Sequence, residues 1–179
     1  MYLSKALLNL NNPKVRLYLL VLIWLVVVVS GLVYFQLASI TTFDPQNEMT
    51  QSKWSEQFKR NIKWSPSENP KLIIVIDESC GCSKRAVSHM NQLQTHAVRN
   101  TYDVQIINQS LTATNLLPNT PGAVLLDASG ELVYAGPLSQ GLACSASSGF
   151  VELAIDNLAA GFNSNLVVTD SKGCYCKGS

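Results

Sequence analysis

The feature that most constrains this chain is an uncharged run near its start. From Leu17 to Phe35 the sequence LYLLVLIWLVVVVSGLVYF carries no charge and only one serine and one glycine. Its nineteen residues, at about 1.5 Å rise each, match the hydrocarbon thickness of a bilayer. The run is read as a transmembrane helix, with residues 17–36 in the lipid bilayer. A cleaved secretory signal is the competing reading. Its apolar core is usually shorter and is followed by a small-residue cleavage site, whereas only the weak QLAS follows here.

Flanking charge sets the expected orientation, because Lys and Arg resist translocation. Lys5, Lys14 and Arg16 precede the span with no acid among them, while Asp44 and Glu48 come before the first downstream base, Lys53. The expectation is a single-pass protein of the inner (cytoplasmic) membrane, residues 1–16 in the cytoplasm and the rest periplasmic or extracellular. The exported part carries ten bases against twelve acids, a net charge of −2. No nucleic-acid partner is indicated.

All five cysteines, Cys80, Cys82, Cys144, Cys174 and Cys176, fall in that exported part. An oxidising compartment lets disulfides form there and persist. An odd number leaves at least one thiol without an internal partner, which suits exchange chemistry or a dimer better than a purely structural framework.

Residues 37–69 read as a polar stalk followed by a short amphipathic helix with Trp54, Phe58 and Ile62 four apart. KWSPSENP then marks a boundary with its two prolines. KLIIVID is a continuous apolar run of β-branched residues, the pattern of a strand covered on both faces. From Ser83 to Val98, Ala86, Met90, Leu93 and Ala97 recur on one helical face, and DVQIIN reads as the next strand. AVLLD and ELVYAG are close enough to form an antiparallel hairpin. GFVELAIDNLAAG is a helix with Val151, Ala154, Ile155 and Leu158 on one side and Gly161 as its stop. The order is strand, helix, strand, connection, strand, strand, helix. The first two strands should be parallel, and the hairpin should complete a mixed sheet covered by helices.

The order of elements, the cysteines between the first strand and its helix, and Thr120-Pro121 just before GAVLLDASGELVYAGPL resemble a thioredoxin-like domain. The nearest likeness in style is to membrane-tethered periplasmic thioredoxins. The whole set of a CxC, an isolated cysteine and a final GCYC also resembles a family of bacterial membrane-anchored thioredoxin-like proteins. The resemblance implies an α/β, three-layer sandwich (βαβ plus ββα) over residues 70–162, with 163–179 as a cysteine-containing tail. It implies that Pro121, after Thr120, is a cis-proline that opens the third core strand and faces the cysteines. One departure is plain: the usual active site is CxxC, commonly after tryptophan, and here Ser79 precedes a CxC.

A cysteine at a helix start faces unsatisfied backbone N–H groups and the positive end of the helix dipole, which stabilise its thiolate. Cys80, nearest the strand end, is the expected nucleophile and Cys82 the resolving thiol. A Cys80–Cys82 disulfide closes a small ring, so it should be strained and comparatively oxidising. Lys84 and Arg85 add positive charge but read as solvated helix residues. Asp77 and Glu78 stand beside the cysteines as possible proton acceptors, although strand-end acids usually face solvent. His89 lies two turns beyond Cys82, about 10 Å along the axis, too far for both to hold one metal ion, and reads as a partly packed helix histidine rather than a proton relay.

Strand direction puts the loop GPLSQGLACS, with Cys144, at the same sheet edge as Cys80. The thirteen steps from Gly161 to Cys174 span roughly 40 Å if extended, enough to return there. Cys144, Cys174 and Cys176 are thus possible relay or disulfide partners.

Three readings follow. The first is a membrane-anchored thiol–disulfide oxidoreductase or isomerase, needing no cofactor, with Cys80, Cys82 and Pro121 at its site. Its partners would be cysteine-containing exported proteins or a membrane redox donor. The second is a metal-binding or copper/zinc delivery protein using Cys80, Cys82, Cys174 and Cys176 as thiolates. The third is a non-catalytic binding scaffold stabilised by disulfides.

Overall fold

The computed structural model describes residues 13–38, 40–141 and 149–178. The chain divides into two units, 1–39 and 40–179. Helix α1 (Pro13–Ala38) occupies the first and is long and apolar enough to cross a membrane, with its large apolar side chains from Leu17 to Phe35 exposed. Lipid is the environment that suits such a surface.

The second unit has the element order β1 (Thr41–Thr42), α2 (Trp54–Asn61), β2 (Lys71–Ile76), α3 (Gly81–Arg99), β3 (Asp103–Asn108), β4 (Asn119–Thr120), β5 (Gly122–Leu126), β6 (Leu132–Pro137), α4 (Phe150–Ala159), β7 (Leu166–Val167), β8 (Lys172–Gly173) and β9 (Cys176–Lys177). Five strands form a mixed sheet in the order β3-β2-β5-β6-β7. As the sequence predicts, β2 and β3 are parallel and β5 and β6 antiparallel. β5 runs antiparallel to β2, so that Gly122 opens the strand opposite Val75, close to where β2 ends.

Strand β2 is buried on both faces, and alternation sorts its side chains. Leu72 and Ile74 join Ala86, Met90, Leu93 and Ala97 of α3 and Val151, Ala154 and Ile155 of α4 in one core. Ile73 and Val75 join Phe43, Met49 and Phe58 in a second core on the other face. The helical spacings in the sequence therefore mark the faces that are buried.

The second core draws on segments that precede and follow the sheet strands. Residues 40–69, read as stalk and helix, belong to the same compact unit as the sheet. Phe43 is fully buried, Trp54 stacks on Phe58 at 5.3 Å, and β1 pairs with β8. The tail also folds back: β7 adds to the sheet beside β6, β8 meets β1, and β9 meets β4. Phe43 and Tyr175 are isolated apolar anchors in polar stretches, whereas Trp54, Phe58 and Ile62 follow the helical spacing; together they fill the face that α3 and α4 leave open.

Candidate functional site

Helix α3 begins at the end of β2 through a short turn. Asp77 Oδ1 accepts from the backbone N–H and hydroxyl of Ser79, at 2.8 and 2.6 Å, and Cys80 N–H donates to the Asp77 carbonyl at 3.0 Å. Cys80 is the N-cap, extended in backbone (φ −79°, ψ 125°), and its carbonyl accepts the first helical bond from Lys84. Cys82 follows inside the first turn. Ser83 is buried and its Oγ accepts from the Asp77 N–H at 3.2 Å. Asp77 thus organises the turn, while Glu78, Lys84 and Arg85 are exposed.

The tail reaches this helix start along a second strand edge. Register sets Thr120 opposite Cys176 and Asn119 opposite Lys177. The Cys174 N–H donates to the Gly141 carbonyl at 3.2 Å, and the Gly178 N–H to that of Pro118 at 3.1 Å. Cys80 is bonded to Cys176 and Cys82 to Cys174, with Cα separations of 6.0 and 5.6 Å. The ring between Cys80 and Cys82 that the spacing suggests is therefore not the pairing found. Two antiparallel CxC segments lie against each other, and each cysteine bonds across instead of along its own chain.

The sulfurs of Cys80, Cys82 and Cys176 lie within 4.8 Å of one another. The Thr120-Pro121 peptide bond is cis, which puts Pro121 one residue along from the partner of Cys176. The Thr120 hydroxyl is buried and, among the described residues, has no hydrogen-bond partner. Cys80 and Cys174 are buried, and Cys82 and Cys176 are partly exposed. Cys144 lies outside the described residues.

His89 takes no part in the sulfur cluster. It is fully buried, not partly packed, and its Nε2 lies 2.6 Å from Glu152 Oε1 on α4. Burial pushes the Glu152 carboxyl up, but the hydrogen bond from His89, the Glu152 backbone N–H and the charges of His89 and His96 outweigh it, so the carboxyl sits below its ordinary value of 4.5. Helix spacing sets His89 about 10 Å along the axis from Cys82, and the facing helix α4 supplies the partner it meets there.

Several residues that shape the site are not singled out by spacing. Gln109 accepts from the N–H groups of Leu116 and Leu117 and donates to the Leu117 carbonyl, fixing the loop that leads into β4. The Asn119 amide donates to the carbonyls of Thr42 and Phe43 at 3.0 and 2.7 Å, tying β4 to the segment before α2. Tyr175, between the tail cysteines, is buried edge-on to Phe43 at 5.1 Å and donates to the Ser139 carbonyl at 2.9 Å. An aromatic flanked by two cysteines is the one sequence cue for that anchor.

No curated protein and no solved structure matches the chain. A family model does match, over residues 46–178, a span that takes in both CxC pairs and everything between them: the chain belongs to the family described as Domain of unknown function (DUF6436).

Proposed function

We propose that this protein is a membrane-anchored thiol–disulfide oxidoreductase or isomerase of thioredoxin-like fold, held in the inner membrane by α1 with its domain on the exported side. The observation that carries the reading is the position of Cys80: it caps α3, is bonded to Cys176, and has the Cys82 sulfur in reach. The mixed sheet, the cysteines between β2 and α3, and a cis-proline opening β5 support the likeness of fold.

The chemistry is exchange, in which an attacking thiolate forms one sulfur–sulfur bond as another breaks. Once the Cys82–Cys174 bond has been reduced by a donor dithiol, the Cys82 thiolate can attack Cys80. The Cys80–Cys176 bond then breaks, Cys80–Cys82 forms, and Cys176 leaves as thiolate. The step conserves electrons, so the domain can pass a disulfide between its two CxC pairs. The N–H groups at the start of α3 stabilise a thiolate at Cys80 whenever it is the leaving group. Cysteine-containing exported proteins, or a membrane redox donor, are the partners this requires.

The same cluster favours a second reading. With both disulfides reduced, Cys80, Cys82, Cys174 and Cys176 would offer four thiolates, a donor set suited to zinc or copper(I).

Cells carrying Cys82→Ala test the first reading. A reducible high-mass adduct mapping to Cys80 is expected to accumulate, because the thiol that would resolve it is gone. Absence of any adduct, with no exchange against glutathione, leaves only a disulfide-stabilised scaffold. Stoichiometric zinc or copper in anaerobically purified, reduced protein would instead make metal binding primary.

A further inference from the structure

Exchange at Cys80 gives no role to Tyr175, yet this residue is only 6% exposed at the centre of the tail. Its ring enters the second core against Phe43, and its hydroxyl reaches the Ser139 carbonyl and lies 3.1 Å from Ser171 Oγ. Gly173 is what lets the ring lie there, since a Cβ at that position would sit 2.7 Å from the ring. The adjacent residue, Cys176, is the one bonded to Cys80 and paired with Thr120. Among the described strands, β4 pairs with β9 and with no other.

The tail is thus held by a backbone ladder on β4, by disulfides to Cys80 and Cys82, and by an aromatic slot between its two bonded cysteines. Two of these would serve any extended chain. A strand edge accepts backbone regardless of sequence, and a pocket beside it supplies the selectivity. With the tail gone, the main-chain groups of Asn119 and Thr120 and the slot beside Phe43 and Ser139 would face solvent. A cavity of about 440 Å³ beside Lys177 and Gly178, lined by Thr42, Asp44, Asn115, Pro118 and Asn119, gives a longer chain room to continue.

We propose that β4, Cys80 and the slot beside Phe43 and Ser139 form a binding site for an extended segment of an exported protein that carries tyrosine immediately before a cysteine, and that residues 172–177 are its resident occupant. The proposal rests on the exchange reading. A donor dithiol first opens Cys82–Cys174 and is itself oxidised to a disulfide. The incoming cysteine thiolate then attacks Cys80 Sγ, the Cys80–Cys176 bond breaks, and Cys176 departs as thiolate, taking up the proton the incoming thiol gave up. In this second step one disulfide replaces another, with no further oxidant or reductant.

The test uses the oxidised full-length Cys82→Ser/Cys174→Ser chain in detergent, where Cys80–Cys176 is the bond left between tail and helix, and the hexapeptide KGSYCK, which copies residues 172–177 with serine for the first cysteine. KGSACK and glutathione are the controls, at equal thiol concentration. Mass mapping after alkylation should find the peptide on Cys80 and the alkyl group on Cys176 of the same molecules. The yield for KGSYCK should exceed either control by about tenfold, the order expected for burying one aromatic side chain. Equal yields from all three thiols would overturn the site while leaving exchange intact, and so would adducts carried on Cys176. Absence of adduct from every thiol, glutathione included, would overturn the exchange reading together with the site. With Tyr175→Ala added to that chain, checked for folding by its thermal transition, the resident tail is a weaker competitor and the KGSYCK yield should rise; if the added substitution unfolds it, the comparison of the three thiols decides.

Discussion

His89 Nε2 lies 2.6 Å from Glu152 Oε1, joining the middle of α3 to the first turn of α4 behind the cysteine site. His89 is fully buried, and among the described residues its Nδ1 and Glu152 Oε2 have no hydrogen-bond partner. Among the described residues, the side-chain hydrogen bonding between the two therefore runs through one bond. The Glu152 carboxyl is held below its ordinary value of 4.5 in the folded protein. A depressed carboxylate contributes stability above the unfolded value, and that contribution is lost as pH falls through the folded one. Unfolding midpoints should drop on acidification below about pH 4.5, and Glu152→Gln should flatten that part of the profile. His89→Ala should cost about 1–3 kcal/mol at neutral pH, because it strands a half-buried carboxylate. Denaturant titration across pH reads both, and an acid limb unchanged in Glu152→Gln would refute the assignment.

What could be read from sequence, and what could not, divides along the same helices. The spacing of Ala86, Met90, Leu93 and Ala97 is local, so it identified the buried face of α3 without knowledge of what covers it. His89 shares that helix, but its partner is 63 residues away and no local pattern names it. The charge-free run of α1 and the unbroken apolar run of β2 are similarly self-announcing. Strands β1, β4, β8 and β9 are two residues long, too short to show alternation, and they exist because tertiary contacts hold them. The length of the tail from Gly161 allows Cys174 and Cys176 to come back to Cys80. It did not show that they would bond across to Cys80 and Cys82, because pairing follows from the antiparallel apposition of the two CxC segments.

The two disulfides should not contribute additively. Cys80–Cys176 closes a sequence separation of 96 residues, and a loop of about that length restricts the unfolded chain by roughly 4–5 kcal/mol. Once it is closed, Cys82–Cys174 encloses only the few residues between the two bonds and restricts much less. Replacing Cys82 and Cys174 by serine should therefore lower stability by a small part of what full reduction does. Chemical unfolding of oxidised wild type, the double variant and the reduced chain measures the three levels, and a double variant as unstable as the reduced chain contradicts the prediction.

Gly122 opens β5 next to the cis-proline and stands where three neighbours converge. A Cβ there would lie 2.5 Å from Leu117 Cδ1, 2.7 Å from Phe43 Cζ and 3.0 Å from the Gly136 carbonyl. Gly122→Ala should cost about 1–3 kcal/mol through overpacking. Because Phe43 is one of the atoms that must move, the wall beside Tyr175 moves with it. The thermal midpoint should fall and both disulfides should become more readily reduced. A midpoint equal to wild type would mean that the neighbours give way without cost.

Tyr175 couples the packing of the tail to its redox state. The oxidised tail is docked, with the ring against Phe43 and the hydroxyl donating to the Ser139 carbonyl. Docking stabilises the oxidised form over the reduced form to the extent that the tail leaves when its disulfides open. Tyr175→Phe keeps the ring and loses the hydroxyl contacts, about 1 kcal/mol. For a two-electron couple that is about 20 mV in the more oxidising direction. Tyr175→Ala also removes the ring and should shift the potential about two to three times as far. Equilibration of the full chain against glutathione buffers, with alkylation of free thiols and mass counting, gives both potentials. The order wild type, Tyr175→Phe, Tyr175→Ala from most reducing to most oxidising is the signature of a tail whose docking is linked to its disulfides. Identical potentials in all three would mean that the reduced tail stays docked, and that Tyr175 contributes to packing alone.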